Sequence, residues 1–71
     1  MERVIVMSSS ITSVGYNSSN RTLEIEFNWG GIYRYHDVPR EVYINLLEAD
    51  SHGKYFENHI NKAGFEFEKI G

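Results

Sequence analysis

The stretch from Val38 to Gly64 constrains the fold more than any other part of this chain. Proline fixes φ and lacks an N–H, so Pro39 suits the first helical position and holds Val38 extended before it. Val42, Tyr43, Leu46 and Leu47 follow at i, i+1, i+4 and i+5 and make one apolar face, with Arg40, Glu41, Asn45 and Glu48 mainly opposite. Ser51 is an N-cap for a second helix, because its hydroxyl can accept an orphan backbone N–H. Tyr55, Phe56, His59, Ile60 and Ala63 repeat the helical spacing, so His59 is expected to be substantially buried and to bind no metal. Gly64 fits the left-handed residue that ends such a helix, and Lys62 suits its negative pole. Gly53 lies in the first turn of the second helix, where it costs about 1 kcal/mol relative to alanine. A glycine kept at that position predicts a close backbone approach, to a sheet or to a ligand. The two helices, joined at a sharp corner, plug a small sheet made from the chain before them.

The sheet is legible as short runs separated by turns. Arg3 to Met7 is an apolar run suited to a first or edge strand. Ile11 to Tyr16 reads as a strand with Val14 and Tyr16 on one face, and the opposite parity of Ile11 implies either a bulge or an outward-facing isoleucine. Asn17-Ser18-Ser19-Asn20 is turn chemistry. In Thr22 to Phe27, Leu23, Ile25 and Phe27 alternate with Thr22, Glu24 and Glu26, which predicts one buried face, one wet face and antiparallel pairing. Ile32 to His36 returns with Tyr33 and Tyr35 on one face, and Phe65 to Glu68 alternates again as a last strand. Face parity requires an odd loop between the Thr22–Phe27 and Ile32–His36 strands. Trp29-Gly30-Gly31 is the expected loop; it would pair Phe27 with Tyr33, Ile25 with Tyr35 and Glu26 with Arg34, and place φ > 0 at Gly31. The expected order is β-β-β-α-α-β, an α+β domain with a small antiparallel sheet and two helices on one face, as a single domain over residues 1–71.

Composition narrows the function classes. The chain has no cysteine, so it has no disulfide framework and no zinc-finger spacing. No apolar run reaches the roughly 20 residues of a membrane span, and a cytoplasmic protein with no membrane association is expected. Ten acidic against seven basic residues leave a net charge of −3, which opposes strong non-specific binding to nucleic acid but permits a local basic patch.

Ser9-Ser10-Ile11, Val14-Gly15-Tyr16, Leu23-x-Ile25-x-Phe27, Gly31-x-Tyr33-x-Tyr35, Val38-Pro39, Tyr43, Leu46, Ala49-x-Ser51-x-Gly53-x-Tyr55-Phe56 and Ile60 together resemble the KTSC domain. That domain is named for its place at the C-terminus of some bacterial lysyl-tRNA synthetases and also occurs as a short stand-alone protein. The resemblance runs from about Ser8 to Phe67, and its most specific part is the corner motif from Ala49 to Phe56. It implies no enzymatic activity. The synthetase fusion implies, by association, a role in binding RNA or a protein partner.

Each catalytic constellation has a plainer explanation. Ser51 and His52 are adjacent in a helix and do not face each other, so they cannot form a nucleophile–base pair. His52 and His59 lie seven apart with Asp50 and Glu57 nearby, but no known metal-ligand spacing links them. Glu24 with Glu26, and Glu66 with Glu68, sit on the wet side of strands, where charge keeps an edge from aggregating. Gly30-Gly31 lacks the Lys-Ser/Thr and the following helix of a phosphate loop. The five tyrosines mostly share parity with core positions. No catalytic residue, metal ligand or cofactor is therefore expected. Weak RNA association is expected through Arg40 and Lys54, which flank the corner, with Arg34 and Lys62 as lesser members. The alternative is a protein-interaction or homodimerisation module that uses an aromatic surface around Trp29, the one aromatic placed in a turn.

Overall fold

In the computed structural model, which describes all residues from Met1 to Gly71, five strands form one antiparallel sheet. They are β1 (Arg3–Ile5), β2 (Ile11–Asn17), β3 (Thr22–Phe27), β4 (Ile32–Tyr35) and β5 (Phe67–Lys69), and their order across the sheet repeats their order in the chain. Helices α1 (Arg40–Glu48) and α2 (His52–Phe56) lie between β4 and β5, and α2 runs on into one π-helical turn over Glu57–Asn61. The α+β class holds, and the apolar run at Arg3 does form an edge strand, which brings the sheet to five. Of the two readings of Ile11, the bulge is the one present, as a register shift between Ile11 and Ser13. It turns Ile11 into the core beside Val14.

The core fills the space between the helices and one face of the sheet. Val14, Leu23, Ile25, Val38 and Leu46 have no exposed surface, and Ile11 and Ile60 have almost none. Burying side chains of this size contributes roughly 1.5–3 kcal/mol each. Leu46 is the fully buried residue of the α1 stripe, while Val42, Tyr43 and Leu47 pack on the core from its margin. Pro39 is the N-cap rather than the first helical residue, and Arg40 begins the helix. Ser51 caps α2 as expected, its Oγ accepting from the Lys54 N–H at 3.2 Å. Gly64 closes the helical segment at φ +82°.

Three expectations are corrected. Phe27 N–H donates to Gly31 O at 2.8 Å, so the hairpin loop has three residues as expected, but they are Asn28-Trp29-Gly30. Ile25 therefore pairs with Tyr33 and Leu23 with Tyr35, a slip of two residues that leaves the faces unchanged. Asn28 fixes this choice: its amide donates to Ser8 O at 3.1 Å, its Oδ1 accepts from Thr12 Oγ1 at 2.6 Å, and its backbone N–H reaches Ser10 O at 2.9 Å. Positive φ falls on Gly30, at +106°, while Gly31 is glycine because a Cβ there would run into the Trp29 ring. Second, His59 is exposed. The turn at Glu57–Asn61 is π-helical, with Lys62 N–H donating to Glu57 O at 3.2 Å, so the 3.6-residue spacing no longer predicts its faces. Ile60 turns inward, whereas His59 stacks on Tyr55 at 4.5 Å and Ala63 faces solvent. Third, the last strand starts at Phe67, two residues later than its alternation implies.

Candidate functional site

The sheet face away from the helices is built from charge. Cross-strand register puts Arg3, Gly15, Glu24, Arg34 and Glu68 in one row. Gly15 has no side chain, and a Cβ there would strike Glu2 O and the Arg3 side chain, so Arg3 can lie across β2 to reach Glu24 at 3.2 Å. Arg34 grips the other oxygen of Glu24 through Nε at 3.2 Å and Nη2 at 2.9 Å. Glu24 is 8% exposed as a result, so the expected wet face of β3 is covered at its centre by two arginine stems. Ser13 donates to Glu26 at 2.9 Å, and His36 and Glu68 approach to 2.7 Å. Beside this row lies an open hollow of about 440 Å³, lined by Met1, Asn17, Asn20, Thr22, Glu24, Arg34 and His36. Glu24 and Arg34 in its wall hold each other, and His36 is engaged by Glu68 outside it.

The corner is held by its own side chains. His52 Nδ1 donates to Leu46 O at 2.7 Å, which ties the start of α2 to the last turn of α1. A carbonyl only accepts, so the hydrogen of this imidazole is on Nδ1. Gly53 faces the β1–β2 connection, where a Cβ would meet Ser10 Oγ at 2.6 Å. The close approach that its position implied is therefore to the sheet side of the molecule. His52 was legible only as a helix residue, because its partner lies six residues back across a turn.

The structure separates the basic residues. Arg40 opens α1 beside Tyr16, Ser18 and Arg21, at the end of β2, where Arg21 pairs with Asp37 at 3.5 Å. Lys54 is in the first turn of α2, which abuts Ser10 just before the start of β2. The two helix N-termini thus sit at opposite ends of a seven-residue strand, roughly 20 Å apart. Arg34 is on the opposite sheet face, bound to Glu24, and Lys62 is exposed after the π-helical turn.

Trp29 has neighbours of its own kind. It is 66% exposed and stacks on Phe27 at 5.5 Å, with Tyr33 edge-on at 5.8 Å. Tyr33 meets Phe67, itself 58% exposed, at 6.0 Å. Tyr33, Tyr35 and Phe67 share the helix-side face by register, but the two short helices end before they cover Tyr33 and Phe67. Phe27 and Tyr35 root the group in the core, each edge-on to Phe56 of α2, at 5.2 and 5.7 Å. Burial, and secondarily the neighbouring Tyr33, push the Tyr35 hydroxyl up to about 12. Tyr33 and Phe67 could have been found by parity alone, as members of the apolar face with no helix long enough to reach them.

Three comparisons with known proteins bear on this arrangement. The family model described as the KTSC domain matches residues 7–65. The chain is 43% identical over 70 residues to an uncharacterized protein of Stutzerimonas stutzeri, covering 99% of each. It is 39% identical over 62 residues to a lysine–tRNA ligase of Nostoc punctiforme, covering 87% of this chain and 11% of the ligase. A crystal structure of a KTSC domain protein from Yersinia pestis superposes with a TM-score of 0.93 at 43% identity, covering 99% of this chain and 97% of that one. In fold, corner motif and extent, this chain belongs to the KTSC domain family.

Proposed function

We propose that the chain is a non-catalytic binding module and that its contact surface is the aromatic group of Trp29, Tyr33 and Phe67, which takes a protein partner. The exposure of Trp29 and Phe67, at 66% and 58%, on aromatics fixed from below by Phe27 and Tyr35 is the observation that carries this reading. Large rigid rings that are presented rather than buried are characteristic contact residues, because little side-chain entropy is lost when they are covered. A non-catalytic role is supported by how the reactive groups are used. Ser51 Oγ serves as a cap, His52 is spent on Leu46 O, and both oxygens of Glu24 are held by arginine.

A second reading, weak RNA association, draws on the same rings, since bases stack on exposed aromatics. The lysine–tRNA ligases that carry a related segment add to it by association. The dispersal of Arg34, Arg40 and Lys54 counts against it, because single-strand binding combines stacking with a basic groove.

Trp29 is the single tryptophan, so its emission reports on the surface directly. Titration with single-stranded oligouridine at low salt is expected to leave the emission unchanged. Quenching that weakens steeply with added salt would instead establish the RNA reading. Immobilised wild-type protein is expected to retain proteins that a Trp29→Ala/Phe67→Ala variant of unchanged melting temperature does not. Identical recovery by the two would end the aromatic-surface proposal.

A further inference from the structure

The two edges of the sheet are differently protected. β5 presents Phe67-Glu68-Lys69 with Glu66 before it. A second β5 paired with it about a twofold axis centred on Phe67, Glu68 or Lys69 sets Glu66 against Glu68, Glu68 against Glu68, or Lys69 against Lys69. Like charges directly opposed across strands are destabilising, so this edge excludes its own kind. In β1 only a centre on Arg3 opposes like charges, and centres on Val4 or Ile5 do not. Val4, Ile5 and Met7 are 48%, 81% and 93% exposed, and there is no proline, lysine or bulge in Arg3–Ile5.

We infer that the β1 edge pairs with β1 of a second copy of this chain, antiparallel and centred on Val4, which joins two five-stranded sheets into one. The backbone is set for it. Val6 N–H donates to Thr12 O at 3.1 Å, and Val4 pairs with Val14 in the same register. By the alternation of an antiparallel ladder, Val4 and Val6 turn their polar groups toward β2, while Arg3 and Ile5 turn theirs outward. A twofold axis at Val4 then places Arg3 opposite the partner's Ile5 as a hydrogen-bonded pair, twice, and sets Val4 against the partner's Val4 at the closer spacing. No charge meets its like in this register. Arg3 extends along its own sheet toward Glu24, which leaves the outer surface of β1 to Val4 and Ile5. The contact is small, so the dimer is weak and concentration-dependent. It lies on a different surface from the aromatic group of Trp29.

Sedimentation of the full chain over a wide concentration range, with amide exchange in parallel, tests this. The wild type is expected to move from monomer to dimer, with protection of the Arg3 and Ile5 amides rising with the dimer fraction. Ile5→Lys sets a cation opposite the partner's Arg3, while Ile5→Glu removes the same apolar surface and sets an anion there. The lysine variant is expected to dimerise about tenfold or more weakly than the glutamate variant. Ile5→Pro deletes only an outward N–H and should give a folded monomer, because proline is tolerated at such edge positions. A wild type that stays monomeric at the highest concentration, or lysine and glutamate variants that dissociate equally, would overturn the proposal. So would a dimer lost in Trp29→Ala/Phe67→Ala but kept in Ile5→Lys. A monomeric wild type that still loses bound proteins on the Trp29 and Phe67 changes would leave the partner-binding surface standing.

Discussion

The two faces of the sheet are covered by different physics. On one, short helices press Leu46 and Ile60 onto Val14, Leu23 and Ile25, and removal of apolar surface from water stabilises the fold. On the other, no element lies on top. β3 is nonetheless buried on that side too, because Arg3 and Arg34 converge on Glu24 and their stems shield it. An antiparallel sheet with one free face need not leave that face wet: alternating charges on neighbouring strands cover it with side chains alone. The difference predicts unequal responses to substitution and to salt.

The largest effect should come from the helix-covered face. Leu46→Ala is expected to cost about 2–5 kcal/mol in urea unfolding, through lost transfer energy and a residual cavity. On the open face, Glu24→Ala should cost about 1–3 kcal/mol, since two arginines lose their shared acceptor. High salt should shrink the second loss and leave the first unchanged, as screening acts on charges near solvent. Equal salt dependence of the two would erase the distinction between the faces.

The seat of α2 gives a smaller effect that can change sign. Gly53→Ala removes a helix-interior glycine, worth about 1 kcal/mol, but drives the new Cβ into Ser10 Oγ. Alone it should destabilise. Made on Ser10→Ala, where the remaining Ser10 Cβ stands 3.6 Å from the new methyl, it should stabilise. A thermal double-mutant cycle measures the coupling, and additivity would mean that the glycine is not there for this contact.

An effect that is absent at physiological pH comes from Tyr35, at the edge of the covered face. The Tyr35 hydroxyl is pushed from 10.0 to about 12 by burial and then by Tyr33, so the folded state favours its neutral form. The stabilisation is complete below pH 10 and is lost as pH rises from 10 toward 12, since the unfolded chain ionises first. Melting temperatures taken across that window should fall less steeply in Tyr35→Phe. Parallel curves would refute the assignment.

Much of this was legible in the sequence. The alternation of Leu23, Ile25 and Phe27, the parity break at Ile11, the cap at Ser51 and the stop at Gly64 each follow from local stereochemistry. What escaped depends on partners distant in sequence. Parity fixes the faces of the β3–β4 hairpin but not a slip of two, and Asn28 decides the slip through Ser8 and Thr12, sixteen to twenty residues earlier. A π-helical turn leaves no mark that a 3.6-residue stripe reveals, so His59 was misplaced. The cover over Glu24 needs arms from β1 and β4, and no single strand shows that. The candidate surface was half legible: Trp29 stood out as an aromatic in a turn, whereas the basic residues at the two helix starts showed nothing of their separation.

The order of the strands has a kinetic consequence. Because the sheet repeats chain order, the ladders from β1 to β4 each close a short loop, and such pairings cost little chain entropy and form early. The β4–β5 ladder is different, since the whole helical segment is spliced into that one connection. β5 can dock only after both ends of that long excursion are brought together, so it joins last on folding. Held on one side only, as β1 is at the opposite edge, it is also one of the two strands that open most readily in the native state. Phe67 lies on this last-joining strand. One ring of the candidate surface is therefore set on a late-joining edge of the sheet, while Trp29 and Tyr33 stand on the hairpin that forms early.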